Sequence, residues 1–373
     1  MKIKNRGLFY LALAAMGLSS LNAFAFVENV THGYQSCRAC HLSPSGGGVL
    51  TEYGRSLSRE LMSTWGPEGI EGAGFGLIPE GENFRIGGDV RSVQTYINND
   101  QKEESRYFRM QQNVELALRA GKTWFIGTFG TQEGPKSVPE RGEFLSERHY
   151  LLYDAAENLT VRIGKFRLNH GINDPNHTRV TKAGLSFGAL SETYNLEVGV
   201  HSEKSELFVT SSIGALDQSR MGNERALAAS YGHYVAENAK LGVSAFIGEN
   251  EDTRRELLGL WGVTPLFGEK MVLLGEMDYQ ESTDLTPSRE KTRTLAGHTR
   301  LGYHLFKGFT PYVVYEYLHS NMFNEDKIKS PGVGFQFLPL PHLEFQAEYQ
   351  RQSGLPAAGL ENDSVFLLLH FYL

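Results

Sequence analysis

Three things are scarce in this 373-residue chain, and each scarcity removes a class of protein. Basic charge comes first: 36 Lys and Arg face 43 Asp and Glu, a net charge of -7, so no concentrated basic face is left for nucleic acid. Long apolar runs come second. No run beyond the N-terminus reaches the ~20 residues of a bilayer-crossing helix, which excludes a bundle of membrane helices. A membrane barrel stays open, because only alternate residues of its strands face lipid. Cysteine is third, with 2 residues, both inside one five-residue run.

The basic opening Met1-Lys2-Ile3-Lys4-Asn5-Arg6 leads into an apolar core, Leu8 to Leu18, and then into Ala23-Phe24-Ala25. That order reads as a secretory signal peptide over 1–25, cleaved after Ala25, with a core too short to span a bilayer comfortably. No cysteine stands at the cleavage point, so no lipid anchor is expected there.

The two cysteines belong to Cys37-Arg38-Ala39-Cys40-His41. Two thiols at this spacing reach both vinyl groups of a haem and the adjacent imidazole ligates its iron, so the run reads as the attachment site of one covalent haem c. A thioredoxin-like redox pair needs a βαβ setting, which is missing, and it leaves His41 without a role. Leu42 to Gly48, with Gly46-Gly47-Gly48, suits a tight loop where backbone approaches a porphyrin closely. A carbonyl around Pro44 is the expected acceptor for the His41 ring proton, fixing the tautomer. Leu50, Tyr53, Leu57, Leu61 and Trp65 then recur at three- and four-residue steps, which predicts an amphipathic helix of about four turns. Met62 on that helix is one candidate for the distal iron ligand and His32 is its rival, with a barrel histidine or an open position as the other choices.

After Gly66 to Gly81, a glycine-rich linker, the pattern changes to alternation. Phe108, Met110, Val114, Leu116 and Leu118 share one parity, while Arg109, Gln111, Asn113, Glu115 and Arg119 share the other. Such segments begin near residues 83, 105, 123, 142, 159, 187, 205, 225, 239, 254, 270, 291, 309, 328, 342 and 362. Tight connections such as Ala120-Gly121-Lys122 alternate with longer polar ones such as Asn169 to Gly184, which are read as outer loops. The last strand carries Val365, Leu367, Leu369, Phe371 and Leu373 on one face, up to the final residue. The expectation is an all-β fold: an antiparallel transmembrane β-barrel of about 16 strands over 82–373, preceded by a short, mostly helical haem segment with its linker over 26–79. Arg85, Asp89, Arg91, Arg109, Glu115, Arg119, Arg162, Glu276, Asp278, His298, Arg300, Glu316, Glu344 and Glu348 have the parity of the lumen. His201, His304 and His370 share it, near the ends that carry the short turns.

Signal peptide, one C-x-x-C-H run from Cys37 to His41 near the mature N-terminus, and a barrel running to the C-terminus form a layout that resembles the fused outer-membrane monohaem cytochrome-porins associated with iron oxidation. The run Pro44 to Gly48 with Tyr53-Gly54 is also similar to a broader group of uncharacterised exported C-x-x-C-H proteins. The resemblance implies electron passage between an extracellular donor or acceptor, Fe(II)/Fe(III) among them, and periplasmic cytochromes. Three uses follow: an outer-membrane electron conduit, a solute porin whose haem segment plugs or gates the pore, or a haem peroxidase with an open iron position. In each, the chain resides among the lipids of the bacterial outer membrane. A haem outside the lipid-facing band of about 25 Å would leave most of it uncrossed, which places the haem segment in the periplasmic mouth or the lumen.

Overall fold

The computed structural model describes residues 31, 34, 36–133, 144–176, 178–188, 190–216, 223–268, 270–324, 327–354 and 361–373. The expected signal peptide and His32 lie outside the described residues. Among the described residues the chain forms sixteen strands: β1 (Phe84–Asn99), β2 (Lys102–Ala120), β3 (Thr123–Gln132), β4 (Leu145–Ala156), β5 (Leu159–Phe166), β6 (Thr193–His201), β7 (Ser205–Ser212), β8 (Arg225–Ala236), β9 (Ala239–Glu249), β10 (Thr253–Leu266), β11 (Met271–Asp284), β12 (Lys291–Tyr303), β13 (Phe309–His319), β14 (Lys327–Leu340), β15 (Leu343–Gln352) and β16 (Asn362–Tyr372). Each pairs antiparallel with its neighbours in sequence, and β1 pairs with β16 to close the barrel. A ten-residue strand rising about 3.3 Å per residue at a tilt of about 40° covers about 25 Å, the height of an apolar band.

β6 shows why the barrel suits hydrocarbon rather than water. Leu196 and Val200 are 48% and 42% exposed on its outer face, while Asn195 and Glu197 are 4% and 1% exposed on its inner face. Leaving one such half-exposed aliphatic side chain in water forgoes about 1 kcal/mol, roughly half the value of full burial, and the pattern recurs at Leu151 and Ile163, Leu241 and Val243, and Leu258 and Leu260. An apolar exterior around a polar interior is the inverse of a water-soluble barrel.

Alternation breaks at one point with consequences for the lumen. The β1–β2 register shifts between Arg91 and Ser92, a bulge that turns Phe108 and Met110 inward at 5% and 8% exposure. Their expected outward parity is thus corrected, whereas Val114 and Leu118 do face out. Arg109 and Arg119, read as lumen residues, are exposed. Arg162, Glu276, Asp278, His298, Arg300, Glu316, Glu344 and Glu348 are buried as expected.

Two segments occupy the interior. Residues 36–81 pack against the end that carries the short turns, where Thr64 and Trp65 donate backbone N–H to Leu338 and Pro339 carbonyls and His342 Nε2 meets the Ile70 and Glu71 carbonyls at 3.1 Å. Its helix is shorter than predicted: α1 (Glu52–Leu57) continues as a π-helical turn, Ser58–Met62, and stops. Ser63 turns extended there because the next two residues pair with the barrel backbone, and Trp65 is left exposed. The second segment is the β5–β6 connection, 167–192, with a four-residue helix α2 (Val180–Ala183). Sequence reading placed it among the outer loops. Instead it folds into the lumen, because Leu168, Leu185 and Phe187 join wall residues Ala228, Phe246, Leu257 and Ala296 in one buried cluster.

Candidate functional site

The motif is shaped by a 3-10 turn, Cys37–Ala39, whose N-cap Ser36 accepts from Arg38 N–H at 3.3 Å. Cys40 and His41 both donate backbone N–H to the Cys37 carbonyl, which keeps the three functional residues within one turn. Thr51 locks the turn to α1: its hydroxyl donates to the Ala39 carbonyl at 2.8 Å and accepts from Gly54 N–H at 3.0 Å. A side chain at Gly54 would overlap the Cys40 carbonyl, so the helix packs on the motif at backbone distance.

Between His41 and Leu50, which form an antiparallel bridge, the chain makes the loop expected from its glycines. Gly46, Gly47 and Gly48 have φ of +83°, +73° and +71°, a run that side chains resist. A Cβ at Gly46 would lie 3.3 Å from Cys37 Sγ, so the loop leaves the thiol clear. His41 Nδ1 faces the Gly48 carbonyl at 3.4 Å, correcting the expected partner near Pro44. With its proton on Nδ1 the ring keeps the Nε2 lone pair for a metal. Burial lowers the His41 pKa from 6.5, which favours that neutral form.

Cys37, Cys40, His41, Gly46, Gly48, Leu50 and Met62 all line one cavity of about 340 Å³ inside the barrel, within the usual size range of ligand sites. Cys37 is exposed to the cavity whereas Cys40 is buried, and burial pushes the Cys40 thiol up to about 11. Met62, 2% exposed, packs on Leu338 and Tyr372 at the end of the π-helical turn. Thioether, imidazole and two thiols thus meet at one cavity, and the donor set with its glycine cradle fits a covalent haem.

The barrel wall against the motif loop is ionic and internally paired. Arg148 meets Glu115 at 2.5 Å, and Arg162 meets Glu197 at 2.7 Å while donating to Ser43 and Ser45 of the motif loop. His370 lines the cavity, but its two ring nitrogens are held by Glu344 at 2.8 Å and Asp89 at 2.7 Å. His201 and His304 are absent from the lining and contact Thr160 and Thr310. The structure therefore places Cys37, Cys40, His41 and Met62 on the lining of one cavity, which His170 of the 167–192 connection also lines, and gives the three barrel histidines other partners.

Sequence reasoning missed the contribution of 167–192. Arg179 reaches both oxygens of Glu348 at 2.6 and 2.7 Å, Lys182 Nζ reaches Glu276 at 2.9 Å, and His170 Nε2 reaches Asp278 at 2.8 Å. A partial signal was present in Leu168, Ile172, Val180, Leu185 and Phe187, apolar residues set within an otherwise polar connection.

The sequence matches no known protein family and no curated protein. Solved structures are similar in fold. OmpT of Vibrio cholerae, expressed in the outer membrane, shares 9% identity at a TM-score of 0.59, covering 79% of this chain and 100% of that one. The anion-selective porin from Comamonas acidovorans shares 11% at 0.58, covering 78% and 99%. The outer membrane channel DcaP of Acinetobacter baumannii shares 12% at 0.57, covering 79% and 99%. The fold is thus the closed 16-stranded antiparallel barrel of outer-membrane porins.

Proposed function

We propose that this chain resides in the bacterial outer membrane as a porin-type barrel whose lumen is closed from within by an N-terminal segment carrying one covalent haem c. The observation that carries the reading is that Cys37, Cys40, His41 and Met62 line one cavity inside the barrel. Cys37 and Cys40 would form the thioethers, His41 would ligate the iron through Nε2, and the Gly48 carbonyl would hold that tautomer. Met62 is the favoured distal residue, and His32 stays its rival.

Such a haem supplies a one-electron iron centre when bound. The barrel holds the segment in place: Arg38 pairs with Asp154 at 2.7 Å, Ser58 with Tyr372 at 3.0 Å, and Tyr234 donates to the Tyr34 carbonyl at 2.7 Å. In outer-membrane barrels the short-turn end faces the periplasm, so the segment closes the periplasmic half.

The likeness to channels speaks for a solute porin plugged by this segment, ahead of an electron conduit. A separate observation keeps the conduit as the second reading. Cavity residues Trp261 and Gln111 lie five and nine residues from the short-turn ends of β10 and β2. At about 3.3 Å per residue and a tilt of about 40° that is about 13 and about 23 Å into the barrel, deep enough to shorten the insulating gap to the outside. Its partners would be periplasmic cytochromes within and a redox substrate such as Fe(II) without.

Planar-bilayer conductance and liposome electron transfer separate the two. A plugged porin shows small-ion conductance that rises when the segment is released, and it leaves an enclosed cytochrome oxidised when an impermeant reductant is added outside. Rapid reduction of the enclosed cytochrome, abolished by His41→Ala, would instead establish the conduit.

A further inference from the structure

Beyond the haem motif, the strongest cluster of chemistry-bearing groups lies where the inward loop meets β11, on the far part of the same cavity, which His170 and Lys182 also line. Glu276 and Asp278, two residues apart on one strand, both face the lumen, and His170 of the loop comes down on them. The loop passes at backbone distance: Gly171 has φ +61°, and a Cβ there would overlap the Glu276 carboxylate. On the other side Gly259 leaves room for Asp278.

Ligand-type atoms of His170, Glu276 and Asp278 all lie within 4.8 Å of one another, and all three residues are buried. Two further facts point to a missing cation. His170 Nδ1 and Asp278 Oδ2 have no hydrogen-bond partner, although the residues are 5% and 0% exposed. Two carboxylates share the site with one ammonium, Lys182, which sits 2.9 and 3.2 Å from the Glu276 oxygens. That ammonium is spent on Glu276, and the partner that Asp278 has is the imidazole of His170 at 2.8 Å.

We propose that His170, Glu276 and Asp278 bind one first-row divalent transition-metal ion, which clamps the 167–192 loop to the barrel wall. One imidazole with two carboxylates suits Zn²⁺, Co²⁺ or Mn²⁺, whereas the imidazole disfavours Ca²⁺ and Mg²⁺. Lys182 is the built-in competitor. Its ammonium holds Glu276 when no ion is bound, and it can release Glu276 while keeping its 2.9 Å bond to the His170 carbonyl. The site rests on the inward fold of the loop; it shares the cavity through His170 and Lys182 but uses none of Cys37, Cys40, His41 or Met62.

The test uses the full-length, tag-free barrel refolded in detergent and stripped by chelation, in a Cys37→Ser/Cys40→Ser background so that motif thiols cannot bind the probe. Titration with Co²⁺, followed by visible absorption and displaced by Zn²⁺, should give one site per chain. Asp278→Asn and His170→Ala should each weaken it by more than the ~10–100-fold that loss of a supporting residue costs. Lys182→Met should tighten binding, and Zn²⁺ should raise its thermal midpoint more than it raises the parent's. Heat-modifiable gel migration confirms that each variant is folded. The proposal is overturned by absence of stoichiometric binding, by Asp278→Asn binding like the parent, or by Lys182→Met binding more weakly.

Discussion

Replacing Glu348 with alanine tests whether the loop is held inside the barrel as described. Both of its oxygens accept from Arg179 at 2.6 and 2.7 Å, and it also accepts from Tyr312 OH at 2.9 Å and Gln350 Nε2 at 3.0 Å. Arg179 is 2% exposed, so the variant strands a buried guanidinium. Breaking such a pair costs about 3–5 kcal/mol. Asp174 and Glu316 remain 3.7 Å from Arg179 and offset part of that loss, which puts the expected cost near the lower figure. At about 3 kcal/mol per M of urea, the unfolding midpoint of the refolded barrel should fall by about 1 M. Glu348→Gln, which keeps an acceptor without the charge, should fall between parent and alanine. Planar-bilayer recordings of Glu348→Ala should show larger and noisier conductance as the loop leaves the lumen. If the alanine variant unfolds at the parent's urea concentration and conducts like the parent, the pair does not hold the loop and the inward fold is wrong.

Other consequences are more local. Gly46→Val should lower haem incorporation well below that of Gly69→Val: both force a left-handed residue at about 1–2 kcal/mol, but a Cβ at Gly46 reaches Cys37 Sγ whereas Gly69 faces open space. Comparable haem yields from the two would remove the cradle from the account. Met62→Ala should abolish any sulfur-to-iron absorption band and cost about 2–5 kcal/mol for the cavity it leaves, while His32→Ala should leave the spectrum unchanged; the reverse pattern moves the ligand to His32. Protease added to intact cells should spare 167–192, and cleavage there would return the segment to the outer loops.

Much of the barrel was legible because a strand's period of two shows directly in its side chains. The polar residues of lumen parity on β5, β11, β12, β13 and β15 are buried as read. Errors arose where a contact distant in sequence overrides a local pattern. Phe108 and Met110 reversed sides through a bulge opposite Arg91, and no residue type announces a one-residue slip. β6 starts at Thr193, later than the expected start near 187, because Leu185 and Phe187 belong to the lumen cluster. The predicted helix ran on to Trp65, yet Thr64 and Trp65 pair with the β14 end, a partner more than 270 residues away. In the site itself, spacing singled out the motif and Met62, and these residues line one cavity. The Gly48 carbonyl, the capture of His370 by Asp89 and Glu344, and the His170 cluster depend on how the barrel closes.

The central claim, a covalent haem inside a membrane barrel, can be tested on one gel. Outer-membrane fractions of cells able to attach haem c are run unboiled and boiled under denaturing conditions and stained for haem and for protein. The account predicts that haem stain and protein stain travel together, shifting from the folded to the unfolded position on boiling, and that Cys37→Ser/Cys40→Ser removes the haem stain while the heat shift remains. A protein band that never carries haem stain, or a stain that survives the double substitution, would contradict it.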